Sequence, residues 1–385
     1  MSEQWPLKPL SEICEIRPAK SEVKGKFEST EHVSFVQMKD LGIGQMNIEH
    51  SETREFGKVY PNYTYFANDD VLLAKITPCF ENGKLGIAQN LVNGIGFGSS
   101  EFIVLRPKKN VCKEWIYYFL SQKQFRLEGS KQMTGAVGHK RVSKDFIANY
   151  KIPSPPLEEQ QRIVSILDDA LDNIADSINN VQTVSNSVKE LIETKLQTVF
   201  HEDSLEWEKI AFEESIVKVK ATPKIKKRDF KEIGSYPIIS QEMNFINGYW
   251  NNADDLLTIQ TPVVVFGDHT KTLKYIDFDF VRGADGLKIL QPIESILPKF
   301  FYHQLRSVKL KTLGYARHYR LLKQVEIRVP SMEQQHQIAS MFDDLDEQVS
   351  HMNGLYEREL QSLQELKQSI FQEAFSGKLT GGITA

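Results

Sequence analysis

Six cations fall within eleven residues at Lys218, Lys220, Lys224, Lys226, Lys227 and Arg228, with no acid among them. Such a run is either a solvated loop or a set of phosphate contacts, and its neighbours favour phosphate. Gln241, Asn244, Asn247, Tyr249, Trp250 and Asn251 follow, gathering amides and aromatics that read base edges and pack on sugars. Asp268-His269-Thr270-Lys271 follows the apolar run Val263–Phe266, where His269 and Lys271 could project into a groove. In the first half of the chain Lys75, Thr77, Asn82 and Lys84 hold the matching place after Val71–Ala74. A basic loop punctuated by Gly135 and Gly138 carries His139, Lys140 and Arg141, and its counterpart is Arg317, His318, Tyr319 and Arg320. All of these are candidate contacts to DNA.

Catalytic chemistry finds no comparable pattern. Ser154-Pro155-Pro156-Leu157 lacks the Asn or Asp and the aromatic of an amino-methyltransferase motif. Gly94-Ile95-Gly96-Phe97-Gly98 lacks the spacing and the following helix of a phosphate-binding loop, and is expected to be a flexible surface loop. Asp254, Asp255, Asp277 and Asp279 have no lysine at nuclease spacing, and His269 has no nucleophile beside it. Cys14, Cys79 and Cys112 are odd in number and far apart, so neither a disulfide frame nor a metal site is expected.

What must position these loops is a duplicated scaffold. Ile152-Pro153-Ser154-Pro155-Pro156-Leu157-Glu158-Glu159-Gln160-Gln161 returns as Ile327-Arg328-Val329-Pro330-Ser331-Met332-Glu333-Gln334-Gln335-His336, an offset of 175. The register holds without a gap through Ile163/Ile338 and Asp168/Asp343 to Gln197/Gln372 and Phe200/Phe375. Ahead of it the match is looser but in the same order. Val71–Ala74 parallels Val263–Phe266 and Phe102–Pro107 parallels Leu287–Pro292, all read as strands. Trp115–Leu120 parallels Phe300–Leu305, read as a short buried helix. Shared scaffold with divergent loops suits one architecture reading two different targets.

The repeated segments read as helices of about 43 residues, roughly 65 Å each. Pro155 and Pro330 set the turn into them, and Ser331 with Gln334 fits a capping box. Ile174, Val181 and Val188 lie on a heptad-like seam in the first, as do Val349, Met352 and Leu363 in the second. Such long stripes outrun a domain of this size, so the helices are expected to pair, antiparallel if a two-fold relates the repeats. Gly354 reads as a kink or a close helix contact. The formal charge is −4, but residues 158–200 carry −5 and residues 333–375 carry −7, which leaves +8 on everything else. Acidic helices suit protein partners and the basic remainder suits DNA. With 41% hydrophobic and 25% charged residues, no membrane-length apolar run and no signal-like start at Met1–Pro6, a cytoplasmic globular protein is expected.

Taken together, these features resemble the specificity subunits of Type I restriction-modification systems. The resemblance rests on the repeated Pro-x-Leu/Met-Glu-x-Gln-x-x-Ile at Pro155–Ile163 and Pro330–Ile338, on Ile147–Pro153, and on Ala374–Leu379. The second copy departs from the first at Arg328, Ser331 and His336. The resemblance implies an α+β protein with two similar target-recognition domains, each a mixed sheet with short helices. Two long helices join them as an antiparallel coiled coil with pseudo-two-fold symmetry. It implies domains at 1–154 and 204–329, with spacer helices in 155–203 and 330–385. It further implies a non-catalytic subunit that reads a bipartite asymmetric site in double-stranded DNA. Two modification subunits carrying S-adenosylmethionine would dock on the helices, and an ATP-using restriction and translocase subunit would join them. No cofactor, metal or membrane contact is expected on this chain. The alternatives are a self-contained DNA enzyme, which the missing motifs disfavour, and a nucleic-acid-binding scaffold outside restriction-modification.

Overall fold

The computed structural model describes residues 5–49, 52–136, 138–201, 206–220, 222–284, 286–311 and 317–380. The boundary expected at 203–204, residues 1–4 of the N-terminal reading and the tail beyond 380 lie outside the described residues. Two compact units divide the chain: Met1–Asn179 with Glu359–Ala385, and Asn180–Arg358. Each therefore holds one recognition domain, the start of one long helix and the end of the other.

Within the first unit the strand Leu7–Pro9 pairs antiparallel with Lys151–Pro153, which leads into the first long helix. A four-stranded antiparallel sheet runs in the order Cys14–Ile16, Phe102–Pro107, Val71–Ala74, Leu85–Ile87. A second sheet is mixed: Thr53–Glu55, His32–Val36, Ile95–Gly98, Thr64–Ala67, with His32–Val36 parallel to Ile95–Gly98.

The second unit repeats this plan. Glu208–Ala211 pairs antiparallel with Glu326–Val329. The antiparallel sheet runs Ile216–Val217, Leu287–Pro292, Val263–Gly267, Leu273–Ile276. In the mixed sheet Tyr236–Ile239 is parallel to Phe280–Gly283, flanked by Gly248–Trp250 and Leu256–Leu257, and Lys224–Ile225 is added alongside Phe280–Gly283. Both domains thus close their first strand on their last, and that last strand leads directly into a long helix.

The glycine-rich segment is not a surface loop. Ile95–Gly98 is a buried strand, and a Cβ at Gly96 would stand 2.3 Å from the Phe66 ring. The glycines serve close packing. The short helices expected from the aromatic blocks are Lys113–Ser121 and Pro298–Ser307.

The long helices run Leu157–His201 and Met332–Ser376, 45 residues each, and both ends keep the offset of 175. Ser331 and Gln334 close the capping box, with bonds of 3.3 Å from Ser331 N to Gln334 Oε1 and 3.4 Å from Gln334 N to Ser331 Oγ. Gly377, at φ +78°, ends the second helix in the left-handed conformation. In the first unit Ile163, Val164 and Leu167 share a core with Phe371, Ala374 and Phe375. In the second unit Leu196 and Phe200 share one with Ala339 and Phe342. The start of one helix meets the end of the other in both units, so their directions oppose. Ile174 and Val181 are buried, and Val188, Val349, Met352 and Leu363 are half-buried. Gly354 is no close contact, since a Cβ there would meet nothing within 4 Å.

Candidate nucleic-acid interface

One lock joins each domain to its helix. The buried Gln160 side chain accepts from Cys112 N at 2.9 Å and donates to Pro155 O at 2.8 Å. The buried Gln335 side chain accepts from Leu297 N at 2.7 Å and donates to Pro330 O at 3.0 Å. Cys112 and Leu297 are the N-caps of the short helices, so each glutamine satisfies an amide that a helix start leaves unpaired. Further along the helices, Asp168 accepts from the Tyr118 hydroxyl and Asp343 from His303 Nε2 at 3.0 Å. The ends repeat as well: Phe375 packs on Trp115 at 4.5 Å and Phe200 on Phe300 at 5.3 Å between ring centroids. This framework holds the variable loops.

In the first unit two of the predicted loops are laced together. Thr77 N donates to Lys140 O at 2.9 Å, Val142 N to Lys75 O at 2.9 Å, and Thr134 and Arg141 exchange backbone bonds of 3.1 and 2.8 Å. Glu101 sits between them. It accepts from Arg141 at 3.0 and 2.8 Å, while the Lys75 ammonium lies 3.9 Å away. The Arg141 bonds hold the Glu101 carboxyl below its ordinary value, and burial pushes the Lys75 ammonium below its own. His139 and Lys140 are exposed at the tip. Thr77 faces Met133, Asn82 is exposed on the next turn, and the Lys84 ammonium is bound to Met38 O at 2.7 Å.

The second unit gathers its candidates on one surface. Lys224, Lys226, Lys227 and Arg228 are exposed. Lys227 pairs with Glu242 at 2.6 Å, which ties the basic run to the turn 240–247. That turn meets the 268–271 turn, where Thr270 Oγ1 donates to Gln241 O at 2.6 Å and His269 N to Gln241 Oε1 at 3.1 Å. Lys271 is half-buried there at φ +59°. The 317–320 segment docks on the same turn: Tyr319 N donates to Asp268 Oδ1 and His318 N to Asp268 O, both at 2.8 Å. Loops 268–271 and 317–320 therefore meet as loops 75–77 and 134–141 do. Arg317 and Arg320 are exposed, and Tyr249 is a half-buried strand residue opposite Pro237.

Three candidates make bonds that shape the loops. His318 is 1% exposed, with its Nδ1 3.1 Å from Asp268 O. Asn247 spends its carboxamide on Ser240 N and Asn244 O, and Gln241 spends its oxygen on His269 N. Short polar side chains near turns bond their own backbone readily, and no spacing rule separates that use from base reading.

Lys274 is a residue that the sequence reading missed. It is 3% exposed and donates to Ser240 O at 3.0 Å, Phe245 O at 3.3 Å and Asn247 Oδ1 at 3.1 Å. Burial pushes its pKa down to about 8. Alternation in Leu273-Lys274-Tyr275-Ile276 puts Lys274 on the same face as buried Ile276, and that was the available signal.

Cys14, Cys79 and Cys112 are free thiols. Among the described residues His303, Asp343 and Asp346 could converge on a cation. Lys299 and Arg306 already hold the two carboxylates at 3.1 and 2.5 Å. Arginine can only donate, so His303 Nδ1 accepts from Arg306 at 3.0 Å and Nε2 carries the proton toward Asp343. Burial pushes this histidine below its ordinary value, and the cluster is a closed structural network.

The comparisons agree with this geometry. The family described as Type I restriction modification DNA specificity domain matches residues 2–186 and 205–358. The specificity subunit of the Type I restriction enzyme EcoAI of Escherichia coli is 34% identical over 208 residues, 54% of this chain and 34% of that protein. The EcoEI specificity subunit of Escherichia coli is 35% identical over 201 residues, 52% of this chain and 33% of that protein. The match thus spans about a third of those two relatives. The MjaVIII specificity subunit of Methanocaldococcus jannaschii is 24% identical, with 74% of each chain covered. A solved structure described under complex assembly and conformational transition of the type I R-M system shares the fold at TM-score 0.79 and 18% identity, covering 98% of both chains. The HsdS subunit from Thermoanaerobacter tengcongensis shares it at TM-score 0.60 and 16% identity, with 98% of this chain and 97% of that chain covered. A duplicated recognition domain locked twice to the same helix motif, with a family match across both copies, makes this chain a member of the Type I restriction-modification DNA specificity family.

Proposed function

We propose that the chain reads a bipartite, asymmetric DNA site, one half-site per recognition domain, without catalysing a reaction itself. The observation that supports this most is the contrast between the two copies. The Gln160 and Gln335 locks and the Phe200 and Phe375 packing recur, whereas the laced loops differ in charge and length. Invariant framework with divergent loops is what two half-sites of different sequence demand. A helix of 45 residues is about 68 Å long, close to two turns of B-DNA at about 34 Å each.

The recurring acidic helices would dock two copies of one modification subunit, which brings S-adenosylmethionine, and a restriction subunit that uses ATP would join them in the cytoplasm. Leu191 and Leu366 support this reading: they occupy equivalent positions off the seam and are 69% and 48% exposed. Methylation sequencing of the source genome with and without this gene is the test. One bipartite motif should lose its methyl groups on deletion. An unchanged methylome, or a purified assembly that methylates no discrete motif, overturns the proposal.

A further inference from the structure

Beside the mixed sheet of the second unit lies an open cavity of about 400 Å³. Lys218, Lys220, Lys224, Arg282 and Lys288 line it, and Glu213 is the one acid among its described lining residues. Glu213 is already committed to Lys323 at 2.6 Å. Like charges brought to one cavity repel.

Arg282 carries the strongest sign of a missing ligand. Its NH1 donates to Thr222 O at 3.2 Å, but among the described residues its buried Nε has no hydrogen-bond partner, and neither has Thr222 Oγ1. Burial lowers the guanidinium below its ordinary value. A buried charged donor left open is costly and is the mark of an absent acceptor. The register explains how the arginine arrives: Lys224 pairs with Arg282 where Lys224–Ile225 joins Phe280–Gly283, so the extra strand brings the basic run against it. Lys288 leans over the ring of Tyr319, another lining residue, at 5.1 Å.

We propose that this cavity is an anion site that takes a phosphodiester of the DNA backbone at the second half-site. The inference rests on the DNA-reading function for the source of the phosphate. Continuity favours that source over a free nucleotide, because beyond Lys224 the exposed Lys226, Lys227 and Arg228 extend the positive surface as a backbone track. The site would bind every sequence equally and fix the register in which the neighbouring turns meet the bases.

The test compares the full chain with Arg282→Gln and with a Lys218→Gln/Lys288→Gln double variant. Each binds a duplex carrying the methylated motif and an unrelated duplex across a salt series. Both variants should weaken both duplexes alike. The salt slope should fall by about 0.9 for each phosphate left unneutralised, so the ratio of affinities between 50 and 200 mM salt shrinks about 3.5-fold each time. Variants that melt as the wild type and keep its affinity and slope overturn the proposal. Should Arg282→Gln fail to fold, the lysine pair decides. A wild type that binds no duplex refutes the DNA-reading function, and inorganic pyrophosphate then judges the cavity. A saturable rise in melting temperature that the lysine variant lacks keeps an anion site supplied by free phosphates, and no rise removes it.

Discussion

At the residue scale, two buried charges are held by different kinds of partner. Asp70 is fully buried and held by Arg106 at 2.7 and 2.8 Å, and Arg106 also binds Glu22 at 2.6 Å. Arg106→Met strands the carboxylate and should cost the first unit about 3–5 kcal/mol in urea denaturation. Adding Asp70→Asn should recover part of it. Lys274 instead donates to neutral oxygens, and burial pushes its pKa down to about 8 from the ordinary 10.5. The unfolded chain keeps that proton when the folded chain has lost it. Wild-type stability relative to Lys274→Met should therefore rise as pH climbs from about 8 to 10.5, and fall as pH drops back through 8. Denaturation midpoints at the two ends of that window check the sign.

At the element scale, the recurring glutamine is the joint between helix and domain. Gln160→Ala leaves Cys112 N without its acceptor, and Gln335→Ala does the same to Leu297 N. Each should cost about 1–3 kcal/mol. Amide exchange should quicken in Lys113–Ser121 for the first and in Pro298–Ser307 for the second, with the other domain unchanged. A result spread evenly over both domains would show that the locks are not local.

For the whole molecule, the proposed function assigns DNA to the basic surfaces and protein partners to the acidic helices. Alanine at Lys226, Lys227 and Arg228 should weaken binding to all duplexes and flatten the salt dependence without altering which sequence is preferred. A changed preference would move these residues from backbone to bases. Leu191→Asp with Leu366→Asp should leave duplex binding by the isolated chain intact and abolish methylation by the assembled complex. Pull-down of the modification subunit together with a duplex shift assay separates the two effects.

Much of this was legible in the residues alone. The offset of 175 reappears unchanged in the bounds of both long helices, because helix is a local periodic structure and a gapless repeat carries its period with it. Strand positions and the buried aromatic helices were legible for the same reason. The site was legible as segments but not as contacts. The chain order alone shows neither Glu101 between Lys75 and Arg141, nor Lys274 under the turn 240–247, nor Arg282 beside Lys224, since those pairs lie 26 to 58 residues apart. His318 reads like its exposed counterpart His139 until burial separates them. Sequence determined which segments repeat and which vary. Tertiary structure decided which charges are spent on partners inside the protein, because that depends on groups brought together only by sheet pairing and packing.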